Sequence, residues 1–220
     1  HQGARDERVL DPACGTGTFL VSAVRELRES LAAENVSGSE SLSCVLDNVV
    51  GFDIDPLAVV ASRVNYVLAL GGLLGEAPPE GCEIPVYLAD SILSPTLLSM
   101  HSGDRLELRT SVGTFRLPLC VDTAEELRAV CDLATIALED AWTSQRFGVQ
   151  AGAACGADAG ERELLEAFFD ACLELHTRSI DGIWTRIIRN AFMPAFIGEF
   201  DLIVGNPPWV NWEGLPEDYR

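Results

Sequence analysis

Asn206-Pro207-Pro208-Trp209 sets two hydrogen-bond acceptors beside a flat aromatic face, a combination suited to gripping a planar amine. The amine of a base such as adenine is a poor nucleophile, because its lone pair is delocalised into the ring, and a group transferred to it requires a pyramidal nitrogen in the transition state. The Asn206 side-chain oxygen and the Pro207 carbonyl can each accept one N–H and so aim the lone pair at an incoming group. Proline fixes φ, which holds the carbonyls of Pro207 and Pro208 rigidly. Trp209 offers a surface on which a base taken out of its stack can rest. A strand ended by a turn, with Trp209 filling a core, explains the same four residues about as well.

A second group sits near the start. Asp11 leads into a loop containing Ala13, Gly15, Thr16 and Gly17, and an apolar period follows. Strand, glycine loop and helix in that order expose backbone N–H groups to a ligand at the carboxyl edge of an α/β sheet. In the dinucleotide fingerprint a third glycine stands three residues after the second; here that position is Leu20, which counts against NAD or FAD. The chain has no lysine and hence no phosphate-binding G-x-x-x-x-G-K-[ST] loop. A nucleoside ligand without a pyrophosphate remains. Asp53, ending a second strand, can accept from both hydroxyls of a ribose, and Ile54 can lie on an adenine face. Asp90, ending a third strand, can accept from the adenine amine, while Asp11 or its loop can hold an amino acid's ammonium group. Together these suit S-adenosylmethionine. Each acidic residue also serves equally well as a helix N-cap, and Asp55 is assigned wholly to that role.

The elements that must position these residues alternate. Strands are expected at Arg8 to Asp11, Val49 to Asp53, Ile84 to Ala89 and Phe200 to Val204. Leu20, Val24, Leu27 and Leu31 give the first helix its apolar face. Asp55 and Pro56 start a second helix, whose core face is read as Leu57, Val60, Ala61, Val64 and Leu68. The Ser-rich stretch Val36 to Ser43 reads as a surface connection, and the Gly/Ala-rich stretch Phe147 to Gly160 as a mobile loop. Between them, Leu106 to Thr110 and Thr114 to Pro118 form a hairpin, and Thr123 with Glu126 a capping box. Later helices carry Leu164, Leu165, Phe168, Phe169 and Cys172, then Ile183, Trp184, Ile187, Ile188 and Phe192. The pattern predicts an α/β fold, a Rossmann-like doubly wound and mainly parallel sheet, interrupted by a mostly helical insertion. Residues 1–93 and 200–220 form the sheet domain and 94–199 the insertion.

Length and composition bound the rest. The chain has 220 residues, 48% of them hydrophobic, enough for one sizeable core or two modest ones. No uninterrupted apolar run reaches membrane-spanning length, and no secretory signal is present, so a soluble cytoplasmic protein is expected. His1 suggests a piece cut from something longer. Seven scattered cysteines and three histidines show no metal-ligand spacing. Thirty-four acidic residues against 15 arginines give a net charge of −19, which repels a phosphate backbone. Arg178, Arg186 and Arg189 are a local exception.

Asp11 to Leu20 (D-P-A-C-G-T-G-T-F-L), Gly51 to Pro56 (G-F-D-I-D-P), Ala89-Asp90-Ser91 and Val204 to Trp209 (V-G-N-P-P-W) resemble, in the right order, motifs I to IV of N6-adenine-specific DNA methyltransferases. The similarity is to the large enzymes of restriction-modification and phage-defence systems. It covers about half the chain. It implies an incomplete class I methyltransferase fold, S-adenosylmethionine as cofactor, Asp11 and the Gly15/Gly17 loop at its methionine part, Asp53 on the ribose, Asp90 near the adenine, and Asn206 to Trp209 at the target amine. It also implies DNA as partner through a recognition domain absent here, the remaining part of the parent polypeptide as a second partner, and an unpaired edge on the fourth strand. Two other readings share the residues: a methyltransferase for a protein glutamine or an RNA amine, and a non-catalytic cofactor-binding or assembly module.

Overall fold

The computed structural model describes residues 7–76, 82–89, 105–110, 113–177 and 184–206. In chain order the elements are β1 (Val9–Asp11), α1 (Thr18–Ala33), α2 (Gly38–Asn48), β2 (Val49–Asp53), α3 (Pro56–Leu70), β3 (Val86–Leu88), β4 (Arg105–Thr110), β5 (Gly113–Pro118), α4 (Ala124–Glu139), α5 (Ser144–Cys155), α6 (Ala159–Thr177), α7 (Trp184–Phe192) and β6 (Leu202–Ile203). They fall into two compact units, one of His1–Ser91 with Glu199–Arg220 and one of Ile92–Gly198.

The first unit is an α/β layer structure. Its four strands run in the order β3-β2-β1-β6, all neighbours parallel, with Leu10 opposite both Val50 and Ile203. This is compatible with Rossmann-like winding. Leu20, Val24, Leu27 and Leu31 of α1 are all buried, as their spacing requires, and they join Val45, Val49, Tyr66, Leu70 and Val86 in one core. Each such side chain contributes roughly 1.5–3 kcal/mol by leaving water. Gly51, in the middle of β2, is where α1 comes closest: a Cβ there would lie 2.5 Å from Leu20 Cδ1. β6 is the sheet's edge among the described residues, and both its side chains are exposed.

Two expectations about this unit are corrected. The Ser-rich stretch is a helix, α2, not a surface connection. Ser37 caps it by accepting the Glu40 N–H at 3.3 Å, and Leu42 and Val45 drop into the core. The expected core face of α3 is its outer face: Leu57, Val60, Val64 and Leu68 are exposed and Ala61 is half-buried, whereas Val59, Ser62, Tyr66, Ala69 and Leu70 are buried. Apolar residues surround this helix, so spacing alone selects no side. Tyr66 settles the choice, because its hydroxyl can donate to the carbonyls of Val45 and Val49, each at 3.0 Å, only when it faces inward. Together with the 3-10 turn that follows, α3 also forms a stretch, Pro56–Glu76, long and apolar enough to cross a membrane, contrary to the expectation that none would qualify. The α-helical part stops at Gly71, whose left-handed φ of 53° ends it after 15 residues.

In the second unit β4 and β5 form the expected antiparallel hairpin, with Leu108 opposite Phe115. The capping box is present: Thr123 Oγ1 accepts the Glu126 N–H and Glu126 Oε2 accepts the Thr123 N–H, each at 3.1 Å. The expected mobile loop is instead α5 and the start of α6. Thr143 caps α5, and its glycines are contact points, since a Cβ on Gly148 would lie 2.5 Å from Glu166 Cγ on α6. Small residues that look like a loop in sequence here allow two helices to approach closely. Phe147 and Phe169 stack across that contact with centroids 4.6 Å apart.

Candidate cofactor and amine-binding site

The turn after β1 is built from backbone bonds. The Cys14 N–H donates to the Phe52 carbonyl and the Gly17 N–H to the Cys14 carbonyl, both at 2.8 Å. Gly15 and Gly17 take left-handed φ values of 54° and 86°, which glycine adopts without penalty. Space accounts for Gly17 a second time, because a Cβ there would lie 2.5 Å from Ser62 Oγ on α3. Gly15 differs. Among the described residues nothing lies within 4 Å of where its Cβ would be. Ala13 is half-buried beside it, and exposed Thr16 has its carbonyl held by Asn65 Nδ2 at 2.9 Å. Gly17, at the N-cap of α1, supplies no side-chain cap.

Asp11 is completely buried. Its Oδ1 accepts the Ala13 N–H at 3.2 Å, while Oδ2 meets no hydrogen-bond partner among the described residues. Burial, and secondarily the charge of Asp53, raise its pKa above the ordinary carboxylate value. Burial also pushes the neighbouring Cys14 thiol up to about 11, so it stays protonated near neutrality and packs against Ser62 rather than acting as a nucleophile.

Asp53 ends β2 with both carboxylate oxygens in use. Oδ2 accepts the Gly15 N–H at 2.7 Å and Oδ1 accepts the Asp55 N–H at 2.9 Å. Asp55 in turn caps α3 by accepting the Leu57 N–H at 2.9 Å, its expected role. Ile54, beside Asp53, is 66% exposed. The Ala89 N–H donates to the Asp53 carbonyl at 3.0 Å, which brings the end of β3 to the same edge. Asp90 lies outside the described residues.

The segment that leads to Asn206 arrives from the other side of β1. The Val204 N–H donates to the Leu10 carbonyl at 2.9 Å, continuing the parallel ladder, and Gly205 and Asn206 follow, both exposed. A Cβ on Gly205 would lie 2.7 Å from Asp11 Oδ1. The carboxyl ends of three adjacent strands thus bring Asp11, the Gly15 loop, Asp53 and the Gly205-Asn206 turn to one rim. Pro207, Pro208 and Trp209 lie outside the described residues. A separate groove of about 290 Å³, lined by Glu7, Phe19, Glu26, Leu27, Leu202 and Val204, runs between α1 and the β6 edge and contains none of the rim residues.

The bond between Asp53 and Gly15, the support of Gly17 by Ser62 and the grip of Asn65 on Thr16 were not legible in the sequence. The closeness of Ser62 to Gly17 and the grip of Asn65 on Thr16 depend on which face α3 turns inward, and the bond between Asp53 and Gly15 on the register of β1 against β2.

The arrangement can accept a ligand's donors at Asp11 and Asp53, bring an anionic group to the uncapped start of α1, and offer Asn206 to a second ligand nearby. No family model matches the chain. It is 40% identical over 70 residues to a putative type II restriction enzyme and methyltransferase of Methanocaldococcus jannaschii, a match covering 29% of this chain and 6% of that protein. It is 33% identical over 99 residues to the adenine-specific methyltransferase PglX of Streptomyces coelicolor, covering 41% of this chain and 8% of that one. A nuclease-deletion mutant of the Type ISP restriction-modification enzyme LlaGI, solved with a DNA substrate mimic, shares 25% identity over 39% of this chain and 7% of its own, with a TM-score of 0.33. The chain matches less than a tenth of the length of these curated relatives. Over the shared stretches it is a homologue of restriction-modification and adenine-specific methyltransferases.

Proposed function

We propose that this chain is part of the catalytic domain of a larger restriction-modification or phage-defence enzyme, with the class I methyltransferase fold, which methylates the N6 amine of adenine in DNA from S-adenosylmethionine in the cytoplasm. The observation that supports the reading is the closeness of Gly205 to Asp11, at the ends of the neighbouring strands β6 and β1, where a Cβ on Gly205 would lie 2.7 Å from Asp11 Oδ1.

The residues present fit the cofactor: among the described residues Asp11 Oδ2 is a buried acceptor with no donor, nothing lies within 4 Å of where a Gly15 Cβ would be, and α1 begins without a side-chain cap. Asp11 would hold the ammonium group, Ala13 and the Gly15-Thr16-Gly17 loop the methionine part, Asp53 the ribose, and Ile54 and Asp90 the adenine. The cofactor supplies an electrophilic methyl group on sulfur. Asn206 and Pro207 would each accept one N–H of the target amine, Pro208 would stiffen the turn, and Trp209 would stack on the extruded base. Drawing both N–H bonds out of the ring plane turns the nitrogen lone pair outward, and after transfer the surplus proton passes to water. Transfer would be a direct displacement on the sulfonium methyl, without a covalent enzyme intermediate.

The test is transfer of label from methyl-labelled S-adenosylmethionine by the full-length parent enzyme to DNA, RNA and protein offered separately. Label on N6 of adenine in DNA is expected. Label in protein or RNA alone rejects the assignment, and no cofactor binding at all leaves the assembly-module reading.

A further inference from the structure

The Gly15 loop has few anchors on the cleft side. Cys14 and Gly17 are tied by backbone bonds beneath it, and Ala13 by a 3.2 Å contact with Asp11. The Gly15 amide is taken by Asp53 Oδ2 at 2.7 Å, the short distance expected of a charge-assisted bond. The other oxygen of the same carboxylate takes the Asp55 amide at 2.9 Å, at the entrance to α3. We propose that Asp53 is the positioning residue of the glycine loop, its two carboxylate oxygens clamping the β1–α1 turn to the β2–α3 turn and setting the mouth of the cleft before any ligand arrives.

The proposal follows from register. Asp11 lies opposite Gly51, so Asp53 extends two residues past the end of β1, level with the turn that β1 feeds. Gly15 sits at a left-handed φ of 54°, and a glycine has many other conformations to visit. A carboxylate fixed by two backbone amides is itself held still. Each of its oxygens retains a second lone pair, so an arriving diol meets acceptors already aimed rather than displacing the clamp. A loss of cofactor affinity in an Asp53 variant therefore has two sources, the missing acceptor and the loosened loop, and the second acts on ligands that never touch Asp53. Only the ligand-binding arm of this inference rests on the methyltransferase reading.

Two measurements separate the sources. Amide hydrogen exchange of the ligand-free 220-residue chain is compared with that of Asp53→Ala, with circular dichroism confirming the fold. Exchange at Gly15 is expected to rise at least about tenfold, the factor that loss of a charge-assisted bond implies; unchanged exchange overturns the proposal. Titration with S-adenosylmethionine and with an analogue lacking both ribose hydroxyls follows. Asp53→Ala is expected to weaken both about tenfold or more, whereas an analogue bound equally by wild type and variant leaves Asp53 with a ribose contact alone and overturns the clamp. If wild type binds neither ligand, the methyltransferase reading fails while the exchange measurement still decides the clamp. Where the alanine variant does not fold, Asp53→Asn, which keeps one acceptor oxygen, decides between the same two outcomes: faster exchange at Gly15 or Asp55 supports the clamp, and no change at either removes it.

Discussion

Asp11 carries a stability cost once it is ionised. Its pKa is raised by burial and by Asp53, so the folded chain holds that proton more tightly than the unfolded chain does. The favourable contribution of this group is complete below the unfolded-state value and is lost as pH rises through the folded one. Unfolding free energies of wild type and Asp11→Asn, measured by denaturant titration between about pH 3 and 7, are expected to diverge in favour of the variant as pH rises; a constant difference would rule out the buried charge as the cause. Gly205 makes a second prediction at this scale. Its Cβ would meet Asp11 Oδ1 at 2.7 Å, so Gly205→Ala must displace either the carboxylate or the turn bearing Asn206. The expected result is a loss of about 1–3 kcal/mol in unfolding free energy, the usual range for overpacking, with methyl transfer by the parent enzyme reduced at least tenfold. Asp11 and Asp53 were legible as the ends of short strands, and Asn206 as part of the turn after one, because each follows an apolar run and leads into turn chemistry. Their bonds to one another were not, because Gly15 meets Asp53 and Gly205 meets Asp11 only through strand register, which a single sequence does not print.

The helices show where periodicity succeeds and where it stops. On α1 every residue read as inward, Leu20, Val24, Leu27 and Leu31, is buried, and α4 likewise buries one side, with Leu127, Val130, Cys131, Ala134 and Leu138. α3 is apolar nearly all round, so its period fits two faces, and the side chosen is the one on which Tyr66 finds two carbonyls. Tyr66→Phe, which leaves those buried groups short of a donor, is expected to cost about 1–2 kcal/mol, while Leu57→Gln on the outer face stays within about 0.5 kcal/mol of wild type. Reversal of that order in thermal or denaturant unfolding would restore the other face as the inner one. α2 and α5 were missed for a shared reason. Both begin with a hydroxyl cap, Ser37 and Thr143, but serine or glycine-rich composition outweighed that signal; in α5 the glycines are where α6 packs.

At the scale of the whole molecule charge dominates. A net of −19 and a pI near 4.3 oppose contact with nucleic acid. The local arginine cluster offers little relief, since Arg189 pairs with Asp132 at 3.4 Å and Arg178 lies outside the described residues. Fluorescence anisotropy with a labelled duplex at physiological salt is expected to show no retention by this chain alone; saturable binding at that salt would mean that the recognition surface is present here after all. The parallel α/β layer was readable from the alternation of strand and helix patterns, whereas the strand order was not. That order also has a temporal side. β1 and β6 are neighbours although Arg8 and Asp201, joined by a 2.8 Å hydrogen bond at their entrance, stand 193 positions apart. During synthesis the glycine turn and its aspartate partner can come together early, but the turn that would hold the acceptor amine is delivered last. On the ribosome, the half of the rim that would receive the methyl donor can take shape well before the half that would spend it.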